Sequence, residues 1–425
     1  MIYVDNNATT AVDFRVLRAM LPYFCEVYGN PHSLHRAGTA ASHAVMRAYG
    51  HLYSLLGAED SDSVLLTSGS TESNNTVVST LCHAAETRKH GPLLCVTSAI
   101  EHPSVTNSLE AAQKRLHGAL RVVQVSPGKD GVIHAQDIDN ALQKGIRESA
   151  EPALVSVMWA NNETGAVNDV RAIAATAHRY GALFHTDATQ IPGKYLPARP
   201  STCSARSSPY ILQLHDFADF ASVSGHKFHG PKGIGALYVR SGAARRMLTP
   251  LLFGGEQKAG LRAGTVNVAG AVGLGEAARL LLEDRDASTY RKVLAMRDKF
   301  EATLKRESQK RKTGARHLHI ICSNVPRVCN TSLVSAEGVE GEALLYDLNE
   351  RGICASTGSA CASEDLRPSP VLSALEQLSS VKGLAHTGVR ISFSRMNNSR
   401  RDPERVAKAI LTAVDRLSQF STTHE

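Results

Sequence analysis

Side chains suited to binding and activating an organic cofactor follow three separate apolar runs of the sequence. Hydroxyl residues dominate the segment 67–73, which ends an apolar run and opens a helical pattern, and such a point binds anions such as phosphate. Asp187 ends a second apolar run, where a carboxylate can pair with a protonated ring nitrogen. Lys227 follows a third run among small residues, and desolvation there exposes the neutral amine that a Schiff base needs.

Each of these segments taken alone also has a structural interpretation. A serine or threonine before a helix is usually its N-cap. An aspartate at a strand end more often caps a helix or joins a salt bridge, and most lysines lie on the surface. The combination favours chemistry, because an anion site, a carboxylate and a Schiff-base lysine in this order are what pyridoxal phosphate requires. His102 follows a further apolar run and can reach the same crevice, where an imidazole can stack on the ring and move protons.

A candidate nucleophile lies in the segment 355–363, where Cys361 is surrounded by small residues. Such a loop leaves the sulfur accessible, and a thiolate there is a strong nucleophile. The alternative is a buried and inert cysteine, which Cys354 fits better because it lies within a short apolar run.

The residues between these segments predict an α/β domain with a mostly parallel sheet and helices on both of its faces. Ligands in such domains bind outside the carboxyl ends of the strands. The helical patterns that separate the strands include 72–88, 104–116 and 170–180. The seven candidate strands are Val64–Thr67, Leu93–Thr97, Arg121–Val125, Ala153–Met158, Leu183–Thr186, Phe217–Val223 and Ile234–Val239.

The pattern changes after about residue 265, which predicts a second and smaller α+β domain. A long helical stretch is followed by short strand candidates and further helices. These elements are the strands 317–322, 331–335 and 389–394, a helix at 342–351 and a last helix. The segment 198–208 is rich in proline and serine, so we expect a surface loop there.

Length and composition narrow the class of protein. The chain has 425 residues, of which 43% are hydrophobic, and no apolar run approaches the roughly 18 residues of a membrane helix. This argues against a disordered or membrane-spanning protein. Eight cysteines without a CxxC pair indicate free thiols in a reducing compartment. No GxGxxG motif occurs, which argues against a dinucleotide site.

The net charge of +7 is concentrated in one segment. Residues 285–316 contain eleven Lys/Arg and four Asp/Glu, so the rest of the chain is balanced. Val293, Met296, Phe300 and Leu304 recur at helical spacing, which predicts a solvated basic face opposite a buried one. A surface for nucleic acid is the less favoured alternative.

Further motifs extend over nearly the whole chain. They are Asp5–Thr10, Gly29–Pro31, Thr71–Asn75, Glu101-His102, Asn161–Gly165, His185–Gln190, Ser224–Lys227, Gly230–Gly233, Arg262–Thr265, Ser356–Cys361 and Val389–Ser392. In this order they resemble the cysteine desulfurases of the NifS type, in the class-V aminotransferase superfamily of pyridoxal phosphate enzymes.

The resemblance implies a role for individual residues. Lys227 would hold pyridoxal phosphate as a Schiff base, Asp187 would pair with the ring nitrogen, and His102 would stack on the ring and take part in catalysis. Cys361 would accept the sulfur. The remaining cofactor residues would be Gln190 and Asn162 near the ring hydroxyl, Ser70, Thr71, Ser224 and His226 at the phosphate, and Thr265 at the phosphate of the other subunit. Arg390, with Asn162, would bind the substrate α-carboxylate.

The resemblance also implies the fold, the reaction and the partners. The fold would be type I, with residues 15–262 as the large domain and residues 1–14 and 263–425 as the small domain. L-cysteine would become L-alanine through a persulfide on Cys361. A homodimer would pass the sulfur to an iron–sulfur scaffold protein, with no resident metal ion, although Cys361 could transiently share a cluster.

Alternatives remain at this stage. The nearest is a selenocysteine lyase on the same scaffold, and an inactive scaffold or a nucleic-acid binder belongs to a different class. The chain differs from the family around residues 198–212, where it is longer, and at Ser70, where relatives often have alanine. Because the motifs begin at Asp5, a presequence is not expected, and the cytoplasm is the expected location, with an organelle matrix as the alternative.

Overall fold

The computed structural model describes residues 1–88, 90–198, 208–255, 260–311, 317–357, 368–378 and 381–419. In these ranges the strands are β1 (Ile2–Tyr3), β2 (Ser63–Thr67), β3 (Leu93–Ser98), β4 (Leu120–Val125), β5 (Glu151–Ser156), β6 (Leu183–Asp187), β7 (Phe220–Ser224), β8 (Gly235–Val239), β9 (Leu318–Ile321), β10 (Thr331–Ala336), β11 (Ile353–Cys354) and β12 (Gly388–Ser392). The helices are α1 (Phe14–Met20), α2 (Pro22–Cys25), α3 (Arg36–Leu56), α4 (Ser70–Thr87), α5 (Pro103–Arg115), α6 (Ala135–Arg147), α7 (Val170–Arg179), α8 (Ala243–Met247), α9 (Val268–Glu283), α10 (Ser288–Ser308), α11 (Gly341–Glu350), α12 (Pro370–Glu376), α13 (Leu384–Thr387) and α14 (Asp402–Leu417).

A seven-stranded sheet of order β2-β8-β7-β6-β5-β3-β4 lies at the centre of the larger part of the molecule. Strand β8 runs antiparallel to both of its neighbours, β2 and β7, and all the other neighbouring strands are parallel to each other. Every residue of β3, β7 and β8 is buried. Such continuous apolar strands are typical of sheets covered by helices on both faces, so the predicted α/β class is confirmed.

Each predicted strand of this sheet is present, but two of them are shorter at one end by two or three residues, because burial and strand pairing are not the same property. Strand β7 begins at Phe220 rather than at Phe217. Phe217 directly follows a short 3-10 helix at Leu214–Asp216, and its side chain is buried. Strand β5 ends at Ser156, although Met158 is also buried. Apolar residues at these positions pack in the core without entering the ladder.

A three-stranded antiparallel sheet of order β12-β10-β9 forms the centre of the smaller part, which has a separate hydrophobic core. Helices α10, α11 and α14 contribute to this core, in which Phe300 and Phe393 meet edge to face. The N-terminal strand β1 pairs in parallel with β11, and Ile2 and Val4 are buried in the same core. The predicted domain boundaries at residues 14/15 and 262/263 stay a prediction.

The longer connection at 198–212 lies partly outside the described residues, because 199–207 are not described. Its end is not a surface loop: Tyr210 and Leu212 are fully buried in the main core. The Tyr210 hydroxyl donates to Asp284 Oδ2 at 2.8 Å, and Leu212 N donates to Leu55 O at 2.9 Å. The predicted loop at 198–208 can be judged only at its described ends, where Ala198 is exposed and Ser208 is buried.

The basic segment contains helix α10, whose apolar side is buried through Val293, Phe300 and Leu304, as predicted. Several of its cations face neighbouring carboxylates, among them Lys299 with Glu404 at 3.1 Å. Paired charges of this kind are typical of a solvated helix face. None of the described helices is both long and apolar enough to cross a membrane.

Candidate functional site

Asp187 is the last residue of β6, at the carboxyl edge of the sheet, and its side chain is only 6% exposed. Its Oδ2 atom accepts a hydrogen bond from Asn74 Nδ2 at 2.9 Å, and its Oδ1 atom accepts one from Thr189 N at 3.0 Å. In the described part of the chain both of these donors are neutral. Both oxygens are therefore oriented by neutral donors.

His102 is the N-cap of α5, and Pro103 follows it in the first turn, where proline is favoured. Its Nδ1 atom accepts from Ser104 N at 3.1 Å, which leaves the ring proton of the neutral imidazole on Nε2. Burial lowers the pKa of His102, the Asp187 carboxylate raises it and the Lys227 ammonium lowers it. The three side chains therefore lie close enough to influence one another, and His102 is neutral at pH 7.

Lys227 ends a 3-10 helix at Gly225–Lys227, directly after β7. The loop folds back so tightly that a Cβ on Gly230 would lie 2.9 Å from Gly225 O, so glycine is required there. The Lys227 Nζ atom donates to Asn7 O at 2.7 Å and to Ala8 O at 2.8 Å. The N-terminal segment thus reaches across the molecule to hold the amine at the carboxyl edge of the sheet.

The predicted phosphate residues are grouped around the start of α4. A Cβ on Gly235 would lie 2.7 Å from Gly69 Cα, so glycine in β8 lets the turn before α4 approach the sheet. Ser70, the first residue of α4, is buried, and its Oγ atom accepts from Thr189 Oγ1 at 2.5 Å. Thr71 is exposed, and the first helical turn offers backbone N–H groups that suit an anion.

Two further predicted phosphate residues lie on the loop that carries Lys227. Ser224 is buried at the end of β7, and its Oγ atom would lie 3.4 Å from a Cβ on Gly69. The His226 ring contacts Thr9 Oγ1 at 3.1 Å. Burial, with the nearby lysines, lowers the pKa of His226 to about 4, so this imidazole is neutral at pH 7.

Arg390 in β12 is one of the most deeply buried side chains, with 2% exposure. One terminal nitrogen donates to Asp5 Oδ1 at 2.6 Å and the other to Asn162 O at 3.0 Å. Its Nε atom is buried and has no hydrogen-bond partner among the described residues. A buried donor of this kind needs an acceptor, and a substrate carboxylate has the right chemistry.

Gln190 and Asn162 are both connected to Asn7. The Gln190 Nε2 atom donates to Asn7 O at 3.1 Å, and Asn7 Nδ2 donates to Asn162 O at 3.1 Å. Thr265, in contrast, is exposed on the single chain. This position is what a contact with another subunit would require.

Cys361 lies outside the described residues, but the chain on either side of it is fixed near Arg390 and Asn162. Before the gap, Arg390 N donates to Ser356 O at 2.7 Å. After the gap, Ser369 Oγ donates to Glu163 Oε2 at 2.7 Å. The sequence that contains Cys361 therefore leaves and re-enters the described structure beside the site.

Sequence reasoning assigned no role to several buried residues that organise this site. Asn74 joins Asp187 to Ser104, and Asn7 joins Lys227 to Gln190 and Asn162. Lys194 is a buried lysine that also contacts Asn7. The available signal was the polar Asn-Asn pair at positions 6 and 7, but the sequence does not show that the N-terminus docks at the sheet.

A doubly wound sheet with an aspartate, a neutral histidine and a lysine at the carboxyl ends of its strands defines the class of protein. The family described as Aminotransferase class-V matches residues 2–403 of the chain. The cofactor that the family uses is pyridoxal phosphate. Three features of the site fit it: the oriented Asp187 carboxylate, the N–H groups at the start of α4 for the phosphate, and the Lys227 amine.

Individual relatives within this family indicate a particular activity. A cysteine desulfurase of Gluconacetobacter diazotrophicus is 42% identical over 99% of this chain and 95% of its own length. One of Sinorhizobium fredii is 38% identical over 98% of this chain and 97% of its own length. A NifS-like protein from Rickettsia africae has a TM-score of 0.77 at 27% identity over 98% of this chain and 99% of its own. The structure described as SspA in complex with cysteine has a TM-score of 0.72 at 29% identity, over 93% and 99%. The chain therefore belongs to the cysteine desulfurases of the class-V aminotransferase family.

Proposed function

We propose that the chain binds pyridoxal phosphate at Lys227 and removes the sulfur of L-cysteine, with release of L-alanine. The observation that carries this proposal is the convergence of Asp187, His102 and Lys227 at one edge of the sheet, next to a buried Arg390 donor. When bound, the cofactor supplies an electron sink for the Cα carbanion. The family membership and the cysteine complex of a relative support the choice of substrate.

Different residues of the site would bind the cofactor, bind the substrate and transfer protons. Asp187, oriented by Asn74 and Thr189, would hold the proton of the ring nitrogen. Arg390 Nε would donate to the substrate carboxylate. Lys227 Nζ would take the Cα proton, and neutral His102, with its N–H on Nε2, would help to return a proton to the product.

The sulfur step uses Cys361. Its thiolate attacks the sulfur of the bound substrate, so that an S–S bond forms and the substrate C–S bond breaks. The electron pair of the broken bond stays with the substrate carbon, which takes a proton and becomes the methyl group of alanine. The product on the protein is a persulfide at Cys361, from which an acceptor takes the outer sulfur.

We also propose a homodimer that passes sulfur to an iron–sulfur scaffold protein in the cytoplasm. Helices α1 and α2 with the loop after them expose large apolar side chains, including Phe14, Phe24 and Tyr28 with 59%, 59% and 76% exposure. A patch of this kind is typical of an interface. Exposed Thr265 would then reach the phosphate of the partner's cofactor. The described residues contain no group of three or more side chains that could hold a metal ion.

The test incubates the protein with pyridoxal phosphate, L-cysteine and a reductant, and measures alanine and sulfide. We expect equal amounts of both products. Cys361→Ser should keep the yellow cofactor but release no sulfide, whereas Lys144→Met, at an exposed position of α6, should keep full activity. Full sulfide release by Cys361→Ser would exclude its proposed role. Turnover of selenocysteine but not of cysteine would instead favour the selenocysteine lyase, which no observation here supports.

A further inference from the structure

Lys194 is a buried lysine that the proposed reaction does not use. It lies after β6 in the segment that begins with Gln190, and its side chain is 6% exposed. A charged ammonium is expensive to bury without a partner, and most lysines are exposed. Its position inside the molecule therefore needs a cause.

The contacts of Lys194 lead directly to the site. Its Nζ atom donates to Gln190 Oε1 at 2.5 Å and to Asn7 Oδ1 at 3.3 Å. The same two residues hold each other, because Gln190 Nε2 donates to Asn7 O. That carbonyl oxygen also accepts from Lys227 Nζ at 2.7 Å. Lys194 is thus one hydrogen-bonded residue away from Lys227, and both amines line a cavity of about 30 Å³, which is large enough for a water molecule.

The chemistry of an amide gives this arrangement a consequence. Lysine can donate hydrogen bonds, so the Gln190 atom that faces Lys194 must be the oxygen. The amide nitrogen of Gln190 must then point the other way, towards Asn7 and the site. Without Lys194, the Gln190 Oε1 atom loses its donor, and only the hydrogen bond to Asn7 O still orients the amide.

The surroundings of Lys194 are buried and contain other charged groups. Burial lowers the pKa of Lys194 well below its usual value, and the neighbouring Lys227 lowers it further. Gln190 Oε1 and Asn7 Oδ1 each accept a hydrogen bond from the N–H groups of this amine. The titratable and charged groups near Lys194 are Lys227, Cys329, Arg390, Asp5, His226 and His229.

We propose that Lys194 is a positioning residue: its buried amine fixes the Gln190 amide and the Asn7 side chain, so that these present their donor and acceptor atoms to the cofactor and to Lys227. This inference rests on the proposed function, because the resemblance places Gln190 near the cofactor ring hydroxyl. Lys194 acts only through Gln190 and Asn7, and it forms no bond with substrate.

The test is a double-mutant cycle of Lys194→Met and Gln190→Ala, with Lys144→Met at an exposed position of α6 as the control. Two readouts do not depend on turnover: the dissociation constant of pyridoxal phosphate, and the pH midpoint of the visible absorbance of the loaded protein. We expect Lys194→Met to weaken cofactor binding about tenfold and to move the midpoint. In the double variant the loss of affinity should be smaller than the product of the two single losses, because part of the effect of Lys194 passes through Gln190.

Each outcome decides between the proposals. If the unaltered protein does not bind pyridoxal phosphate, the proposed function fails. If it binds and Lys194→Met has the same affinity and midpoint, only the role of Lys194 fails. Effects of the two substitutions that multiply would also overturn it, because the residues would then act independently. If circular dichroism shows that Lys194→Met does not fold, Lys194→Gln, which keeps an N–H donor, replaces it in the cycle and is compared with Gln190→Ala in the same way.

Discussion

Two buried aspartates lie at opposite ends of neighbouring strands in the same sheet. They show how a carboxylate with a structural role differs from one that is available for catalysis. Asp219 lies just before β7, and Asp187 ends the neighbouring strand β6. Their side chains are similarly buried, with 2% and 6% exposure. Their partners differ. Asp219 accepts from Phe184 N at 2.8 Å, His178 Nε2 at 2.7 Å and Arg240 Nε at 3.0 Å, so the Arg240 cation compensates its charge.

The carboxyl edge of the sheet is less completely paired. Asp187 is held by neutral donors, and two buried atoms near it, Asn74 Oδ1 and Glu101 Oε2, have no partner within the described residues. The same holds for Arg390 Nε, which lies beside Asn162. Buried polar atoms normally find partners. At the amino ends of the strands, Asp219 is paired within the protein itself. At the carboxyl ends, buried polar groups still need the charges and hydrogen bonds that a ligand would supply.

The largest effect is expected for Asp187→Asn. This change keeps the shape of the side chain but removes the charge that would hold the proton of the ring nitrogen. We expect turnover of cysteine to fall by on the order of 10²- to 10⁴-fold. Unfolding in urea should change little, because the donors to Asp187 are neutral. A large loss of stability with normal turnover per folded molecule would make Asp187 a structural residue like Asp219.

A smaller effect is expected for His102→Gln, with a fall in turnover of about 10²-fold. Because burial lowers the pKa of His102, the imidazole stays neutral until the pH falls below its usual value of 6.5. The acidic limb of kcat/KM should therefore lie below pH 6.5 in the unaltered protein and be absent in the variant. An acidic limb above pH 6.5 that depends on His102 would contradict the lowered pKa of this residue.

The smallest effect on turnover is expected for Asp219→Asn, which is expected to destabilise the fold instead. Burial raises the pKa of Asp219, but the hydrogen bonds from His178 and Phe184 and the charge of Arg240 outweigh it and lower the pKa overall. The carboxylate therefore contributes stability above the pKa of the unfolded state, and this is lost as the pH falls through the folded pKa.

Loss of the Asp219 charge should lower the free energy of unfolding by about 1–3 kcal/mol at pH 7. Urea titrations at pH 7 and at pH 3 to 4 provide the check, because the difference from the unaltered protein should shrink in acid. A difference that grows in acid would mean that the pKa of Asp219 is raised. A loss of turnover per folded molecule would remove the contrast with Asp187.

Much of the fold follows from local sequence patterns. Continuous apolar runs such as Leu93–Ser98 become strands because helices cover both faces of the sheet. The helix α10 keeps its apolar side in the core at the predicted residues. The boundaries at Phe217 and Met158 could not be predicted, because their burial comes from tertiary packing rather than from strand pairing.

The site was predictable where reactive residues follow apolar runs, as for Asp187, Lys227 and His102. The family resemblance is confirmed, while the role of each site residue stays a prediction. Asn7 and Lys194 were missed for a physical reason: their contacts join segments that are 187 residues apart. An asparagine near the N-terminus and a lysine after a strand give no local pattern that indicates such a contact.

The most direct test of the central claim identifies the lysine that holds the cofactor. Protein loaded with pyridoxal phosphate is reduced with borohydride, digested, and examined by mass spectrometry for the modified peptide. The account predicts a single modification on Lys227. Modification of Lys194, the other lysine that contacts Asn7, or no modification of either lysine, would contradict it.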